Sequence, residues 1–116
     1  MAMSEMDYMS GGSNVIFDSA PSSDFATKIP NGKVTCGFKP TKIMVTRAGQ
    51  YDVRSDYWDS SNPTKYTRIM TYNGGNYYEE NQDFSTSMIS SVVNDGFTLN
   101  NTTMTTSYGL VYCAEG

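Results

Sequence analysis

Glycine, proline and asparagine cut this chain into short runs, and the runs between them are built from strand formers. Three cuts matter most: Pro30-Asn31-Gly32, Asn73-Gly74-Gly75-Asn76 and Asn94-Asp95-Gly96. Asparagine followed by glycine between strand-like runs is a strong hairpin signal, because both residues tolerate the positive φ of a tight turn. The flanking residues are Thr, Val, Ile, Tyr and Phe, which suit a pleated surface, while leucine occurs only twice. Serine, threonine and asparagine together supply 36 of the 116 residues, which leaves little material for helices. The expected fold is therefore all-β: a single antiparallel β-sandwich, jelly-roll-like, of about eight or nine short strands.

The runs place the expected elements. Strands are expected over residues 14–17, 25–29, 33–36, 42–46 and 51–58. Further on, residues 65–72 pair with 77–80, and residues 87–93 pair with 97–100. The last run, residues 108–114, is apolar on both faces, with Leu110, Tyr112 and Ala114 on one and Val111 and Cys113 on the other. A strand of that kind belongs in mid-sheet. No helix longer than a turn or two is expected.

Several kinds of chemistry are excluded by composition. Histidine is absent, which removes Ser-His-Asp and Cys-His nucleophile systems and imidazole metal ligands. Eight basic against twelve acidic residues give a net charge of −4, unfavourable for a phosphate backbone, so no nucleic-acid partner is expected. The first nine residues carry Glu5 and Asp7 and no apolar run, so no secretory signal is expected. No stretch approaches the roughly 18 apolar residues that span a bilayer. Cys36 and Cys113 lack the Cys-x-x-Cys spacing of a redox or metal site and are expected as two buried thiols, with a disulfide possible only if their strands are neighbours. The Asn-x-Thr patterns at Asn100 and Asn101 are read as chance.

The aromatic residues are segregated. Tyr51, Tyr57, Trp58, Tyr66, Tyr72, Tyr77 and Tyr78 all carry a polar handle and cluster between residues 51 and 78, while the five phenylalanines lie outside that window. Phenylalanine offers nothing to water and is expected in the core. Tyrosine and tryptophan suit a surface that is apolar in the middle and hydrogen-bonding at its edge. Such a surface fits sugars, whose C–H faces stack on rings, and the candidate glycan or partner contacts are Tyr51, Tyr57, Trp58, Asp59, Tyr72, Tyr77 and Tyr78. The opposing expectation is that half of these rings simply cover the sheet. The acids Asp52, Asp56 and Asp59, and Glu79, Glu80 and Asp83, match no calcium-loop spacing and are expected as solvated turn residues. A carboxylate-pair hydrolase ranks last, and no catalytic residue, metal or cofactor is assigned.

Residues 1–13 form an expected flexible docking leader ahead of the sandwich at residues 14–116. Met3, Met6, Tyr8 and Met9 put adaptable apolar side chains ahead of Gly11 and Gly12, which fits a peptide that orders on a partner. The opposing expectation is a frayed terminus.

Three local patterns resemble a family. Cys36-Gly37-Phe38-Lys39-Pro40-Thr41-Lys42-Ile43-Met44-Val45 is similar to a Gly-Phe-x-Pro-x-x-Ile-x-Val run in small β-sandwich modules of tailed-bacteriophage virions. Asp95-Gly96-Phe97-Thr98-Leu99 resembles their hairpin into the penultimate strand, and Tyr112-Cys113-Ala114-Glu115-Gly116 their closing segment. Leu110 stands where many of these modules carry an aromatic residue. The resemblance implies a non-enzymatic accessory protein of the virion, in a tail fibre, tail tip, baseplate or capsid decoration. It would be made in the host cytoplasm, attached to other virion proteins through the leader, displayed as a homo-oligomer and in contact with host-surface glycan. The alternative is a free-standing carbohydrate-binding module that uses the aromatic segment.

Overall fold

The final strand organises the molecule. A computed structural model describes residues 14–50, 52–72 and 77–116, with the backbone alone at residues 72, 77 and 78. Among these residues nine strands form: β1 Val15–Pro21, β2 Lys33–Thr35, β3 Lys42–Ala48, β4 Asp52–Asp59, β5 Lys65–Tyr72, β6 Tyr77–Asp83, β7 Ile89–Val93, β8 Gly96–Leu99 and β9 Gly109–Glu115. They make two antiparallel sheets, of order β1-β9-β3-β4-β5-β6 and β2-β8-β7. As its two apolar faces imply, β9 lies inside the larger sheet, paired with β1 on one side and β3 on the other. The fold is an all-β sandwich, with strands divided six and three.

Alternation along the strands builds the core. Ile43 and Val45 of β3, Trp58 of β4, and Leu110, Tyr112 and Ala114 of β9 point inward from the large sheet. Val34, Phe97, Leu99 and Ile89 meet them from the small sheet. The expected pairings hold on either side of residues 73–76, where β5 joins β6, and across Asn94 and Asp95, where β7 joins β8.

Residues 25–29 are not a strand. They form the helical turn α1 (Phe25–Lys28), and the reason lies in spacing. Phe25 and Ile29 are four apart and both buried, whereas Thr27, which a strand would align with them, is exposed. Asn31 and Gly32, with φ of 55° and 77°, then turn the chain into β2 instead of closing a hairpin. A second short helix, α2 (Asn101–Thr106), stays within the turn or two expected, but its place was not marked, because its threonines are weak helix formers. Asn100 starts it: its side-chain oxygen accepts the Thr103 amide at 2.8 Å, an N-cap bond.

Phe17 also departs from expectation. It is 71% exposed, because it faces outward from an edge strand; Phe25 and Phe97 are buried, and Phe38 and Phe84 half-buried.

The three patterns that carry the family resemblance meet in space. The Cys36 and Gly37 amides both donate to the Asp95 carbonyl, at 2.7 and 3.1 Å, and the Thr41 amide donates to the Glu115 carbonyl at 2.7 Å. A β-carbon at Gly116 would stand 2.3 Å from the Lys39 carbonyl oxygen, so only glycine closes that corner. The cysteines are free thiols, both half-buried. Cys36 follows β2 of the small sheet and Cys113 lies in β9 of the large one.

Candidate functional site

Strand alternation splits the aromatic segment between the two faces of the large sheet. In β4, Trp58 points inward and is only 7% exposed. Its ring packs on Phe84 at 5.7 Å, and its indole N–H donates to the Pro63 carbonyl at 3.2 Å. Tyr66 is buried too, its hydroxyl 3.0 Å from the Gln82 side-chain oxygen. Tyr57, the residue before Trp58 in β4, points outward and is 44% exposed. The sequence reading of Trp58 as a surface ring is therefore corrected: in this strand it is the neighbour that faces solvent.

Tyr57 stands where the outer face changes character. Register sets Phe17 opposite Cys113, Cys113 opposite Met44, and Met44 opposite Tyr57. Beyond Tyr57 the same row continues through Thr67 to Asn81, whose side chains bond to each other at 2.5 Å. An apolar row thus turns into hydroxyl and amide at the tyrosine ring.

Alongside runs a charged ladder. Glu115 pairs with Lys42 at 3.8 Å, and Lys65 pairs with Asp83. Between them Asp59 lies opposite Lys42 in the ladder. The Ser61 amide, donating to Asp59 at 2.9 Å, and the Ser61 hydroxyl hold this carboxyl below the usual aspartate range, with help from Lys42.

Two shallow depressions flank the ring. One, of about 380 Å³, is lined by Lys42, Met44, Tyr57, Asp59, Thr67 and Cys113 among others. The second, of about 360 Å³, is lined by Tyr57, Asp59, Asn62, Lys65, Thr67 and Asn81 with Tyr66 at its floor. Of the residues singled out from sequence, the structure brings together Tyr57 and Asp59. Tyr72 and Tyr77 sit at the other end of β5 and β6 from Lys65 and Asp83, and Tyr78 is next to them in sequence. Their side chains, and all of Tyr51, Met3, Met6, Tyr8 and Met9, lie outside the described residues. Sequence reading missed Lys42, Met44, Thr67 and Asn81. Only cross-strand register reveals them, since they are scattered over four decades of the chain and each is an ordinary strand residue.

The acids are not uniformly solvated. Asp56 is fully buried and Asp52 nearly so. Asp52 bridges Arg47 at 2.5 Å and Arg54 at 2.9 Å. Burial pushes its carboxyl up, but the two guanidinium groups outweigh burial and hold it below the usual range. Both acids are taken up inside the sandwich, because β4 alternates Asp52, Arg54, Asp56 and Trp58 onto its inner face. Among the described residues no three carboxylates or thiols gather closely enough to ligate one metal ion.

Compared with known proteins, the chain matches no family model, no curated protein and no solved structure.

Proposed function

We propose that this chain is a non-enzymatic binding module that holds a saccharide on the outer face of its large sheet, around Tyr57. The observation that carries the reading is the exposed Tyr57 ring between two shallow depressions rimmed by Asp59, Asn62, Thr67 and Asn81. A sugar presents an apolar C–H face and an equatorial fringe of hydroxyls. An aromatic plate with amide, hydroxyl and carboxylate at its edge answers both. The depressions are open, which suits a chain end or a repeat within a longer glycan. Titration against a panel of bacterial-surface oligosaccharides tests the reading. Tyr57→Ala is expected to weaken binding at least tenfold with the fold unchanged. A flat titration for the wild-type chain across the panel, or an undiminished Tyr57→Ala, would overturn it.

A place on a phage particle is the second reading, and it accommodates the first. What supports it is the meeting of the Gly37-Phe38, Asp95-Gly96 and Glu115-Gly116 segments at one corner, which fits motifs serving as a shared framework. In this reading Met3, Met6, Tyr8 and Met9 attach the module to other virion proteins. Changing all four to serine should abolish incorporation into particles without altering saccharide binding. Unchanged incorporation counts against the attachment role.

A further inference from the structure

A β-sandwich must protect its sheet edges, since their unpaired N–H and C=O groups template further pairing. Among the described residues this fold has four edges: β1, β6, β2 and β7. β2 is only three residues long, β7 carries a bulge between Ile89 and Ser91, and β6 carries Glu79, Glu80 and Asp83. Shortness, a bulge and repeated charge are all recognised edge defences.

β1 is defended along only half its length. Asn14 and Gly116 exchange both backbone hydrogen bonds, and the Ser22 amide donates to the Tyr108 carbonyl. With the antiparallel register between β1 and β9, this directs the backbone groups of even-numbered residues toward β9 and those of odd-numbered residues outward. Pro21 has no N–H to present there. The Ser19 amide is taken by Asp18 Oδ1 at 2.7 Å, and the Ser19 carbonyl by Lys28 Nζ at 2.8 Å. The outward groups of Val15 and Phe17 have no such partner among the described residues. Beside them stands the Phe17 ring, the most exposed large apolar side chain among the described residues.

We propose that two copies of this chain join edge to edge through β1, antiparallel about Ile16, and so continue the large sheet across the pair. The open groups are self-complementary in that register. Val15 faces Phe17 of the second copy and Phe17 faces its Val15, so that both amides and both carbonyls of each copy are paired. The register also avoids like charges, because Asp18 then lies opposite Asn14 instead of opposite a second aspartate. The two Phe17 rings each pack beside a valine on the outer face, and the two Ile16 side chains, which flank the core, meet on the inner face. The capped Ser19 and Pro21 limit pairing to this segment. The inference does not depend on saccharide binding, which uses residues of other strands.

Sedimentation velocity of the full chain across a wide concentration range tests it. A monomer–dimer equilibrium is expected. Val15→Pro removes an outward N–H without touching the β1–β9 ladder, and should weaken dimerisation at least tenfold while leaving the circular dichroism spectrum unchanged. Ile16→Cys places two thiols across the symmetry axis at a Cα separation of about 4.5 Å, within disulfide reach. Mild oxidation should lock that variant as a covalent dimer while the wild type, with only Cys36 and Cys113, stays unlinked. A chain monomeric at every concentration overturns the proposal. So does an oligomer that well-folded Val15→Pro leaves intact. If Val15→Pro fails to fold, the Ile16→Cys cross-link decides, and its absence overturns the proposal.

Discussion

Arg68 grips Asp56 with two parallel hydrogen bonds, from Nε at 2.8 Å and from Nη2 at 2.9 Å. Asp56 is inaccessible to solvent, and its second oxygen also accepts the Met88 amide at 2.8 Å. The pair therefore joins neighbouring strands β4 and β5 to the segment that leads into β7 of the opposite sheet. A carboxylate this deep stays in the core only because its lone pairs are occupied.

Breaking the grip from one side should be costly. Arg68→Met leaves the Asp56 charge with the Met88 amide and the Ser87 hydroxyl but no counter-ion, and is expected to destabilise the fold by about 3–5 kcal/mol. Replacing both residues together with apolar ones of similar volume should cost less than Arg68→Met alone, because no unpaired charge remains. Urea unfolding of the single and double variants beside the wild type measures this. Equal losses for the single and double variants would show that shape, not charge pairing, sets the cost.

Trp58 predicts a contrast with its neighbour. Its ring fills the core against Phe84, so Trp58→Ala should cost about 3–5 kcal/mol. Tyr57→Ala, on the exposed face, should stay within about 1 kcal/mol. Thermal melts of the two variants separate them, and a Trp58→Ala protein as stable as the wild type would contradict the inward orientation.

Much of this fold was legible before the structure, and what was not has definite causes. The inward set of β3 and the central position of β9 follow from period two and from a strand apolar on both sides. Gly96, expected as the positive-φ residue of the Asn94-Asp95-Gly96 turn, does not play that part. Its φ is not in the left-handed region among the described glycines. A β-carbon there would instead lie 2.0 Å from the Val34 carbonyl oxygen, so glycine is required by the close approach of β2. The helical turn α1 was missed because Phe25 and Ile29 satisfy strand and helix spacing alike in so short a run. The site was half legible. Tyr57 and Asp59 share a face by strand parity, but which of Tyr57 and Trp58 faces solvent depends on the sheet packed behind them. Thr67 and Asn81 depend on hairpin register, which turn composition does not fix to the residue.

Acid should destabilise the protein in a defined window. Asp52 is held below the ordinary aspartate value of 3.8, the two arginines outweighing the upward push of burial. A carboxyl with a lower pKa in the folded chain contributes stability above its unfolded value. That contribution is lost as pH falls from there through the folded value, since the unfolded chain takes up the proton first. Asp18, held down chiefly by the Ser19 amide, and Asp83 and Asp95, held down by Lys65 and Lys33, act in the same direction. The urea midpoint should therefore be level near neutrality and drop once pH falls below 3.8. Asp52→Asn should be less stable at neutral pH and show a shallower drop. An identical acid profile in that variant would remove Asp52 from the account.

The thiols give the most direct electrostatic test. Burial, aided by the Asp95 carboxylate, pushes the Cys36 thiol up to about 11, with Lys33 offsetting only part of the rise. Burial and Glu115 raise Cys113 in the same way. Only the thiolate reacts with alkylating agents, so in the folded chain Cys36 presents about one reactive group in ten thousand at pH 7. Its alkylation by iodoacetamide, followed by intact mass, should be slow at neutral pH and quicken about tenfold per pH unit until the pH nears its pKa. In urea both cysteines should react as ordinary thiols. Asp95→Asn removes the nearby negative charge and leaves Lys33 in place, so Cys36 should react faster in that variant while Cys113, set in the other sheet, keeps its rate. Equal acceleration of both would point to loosening of the sandwich, and no acceleration of either would leave burial alone as the cause.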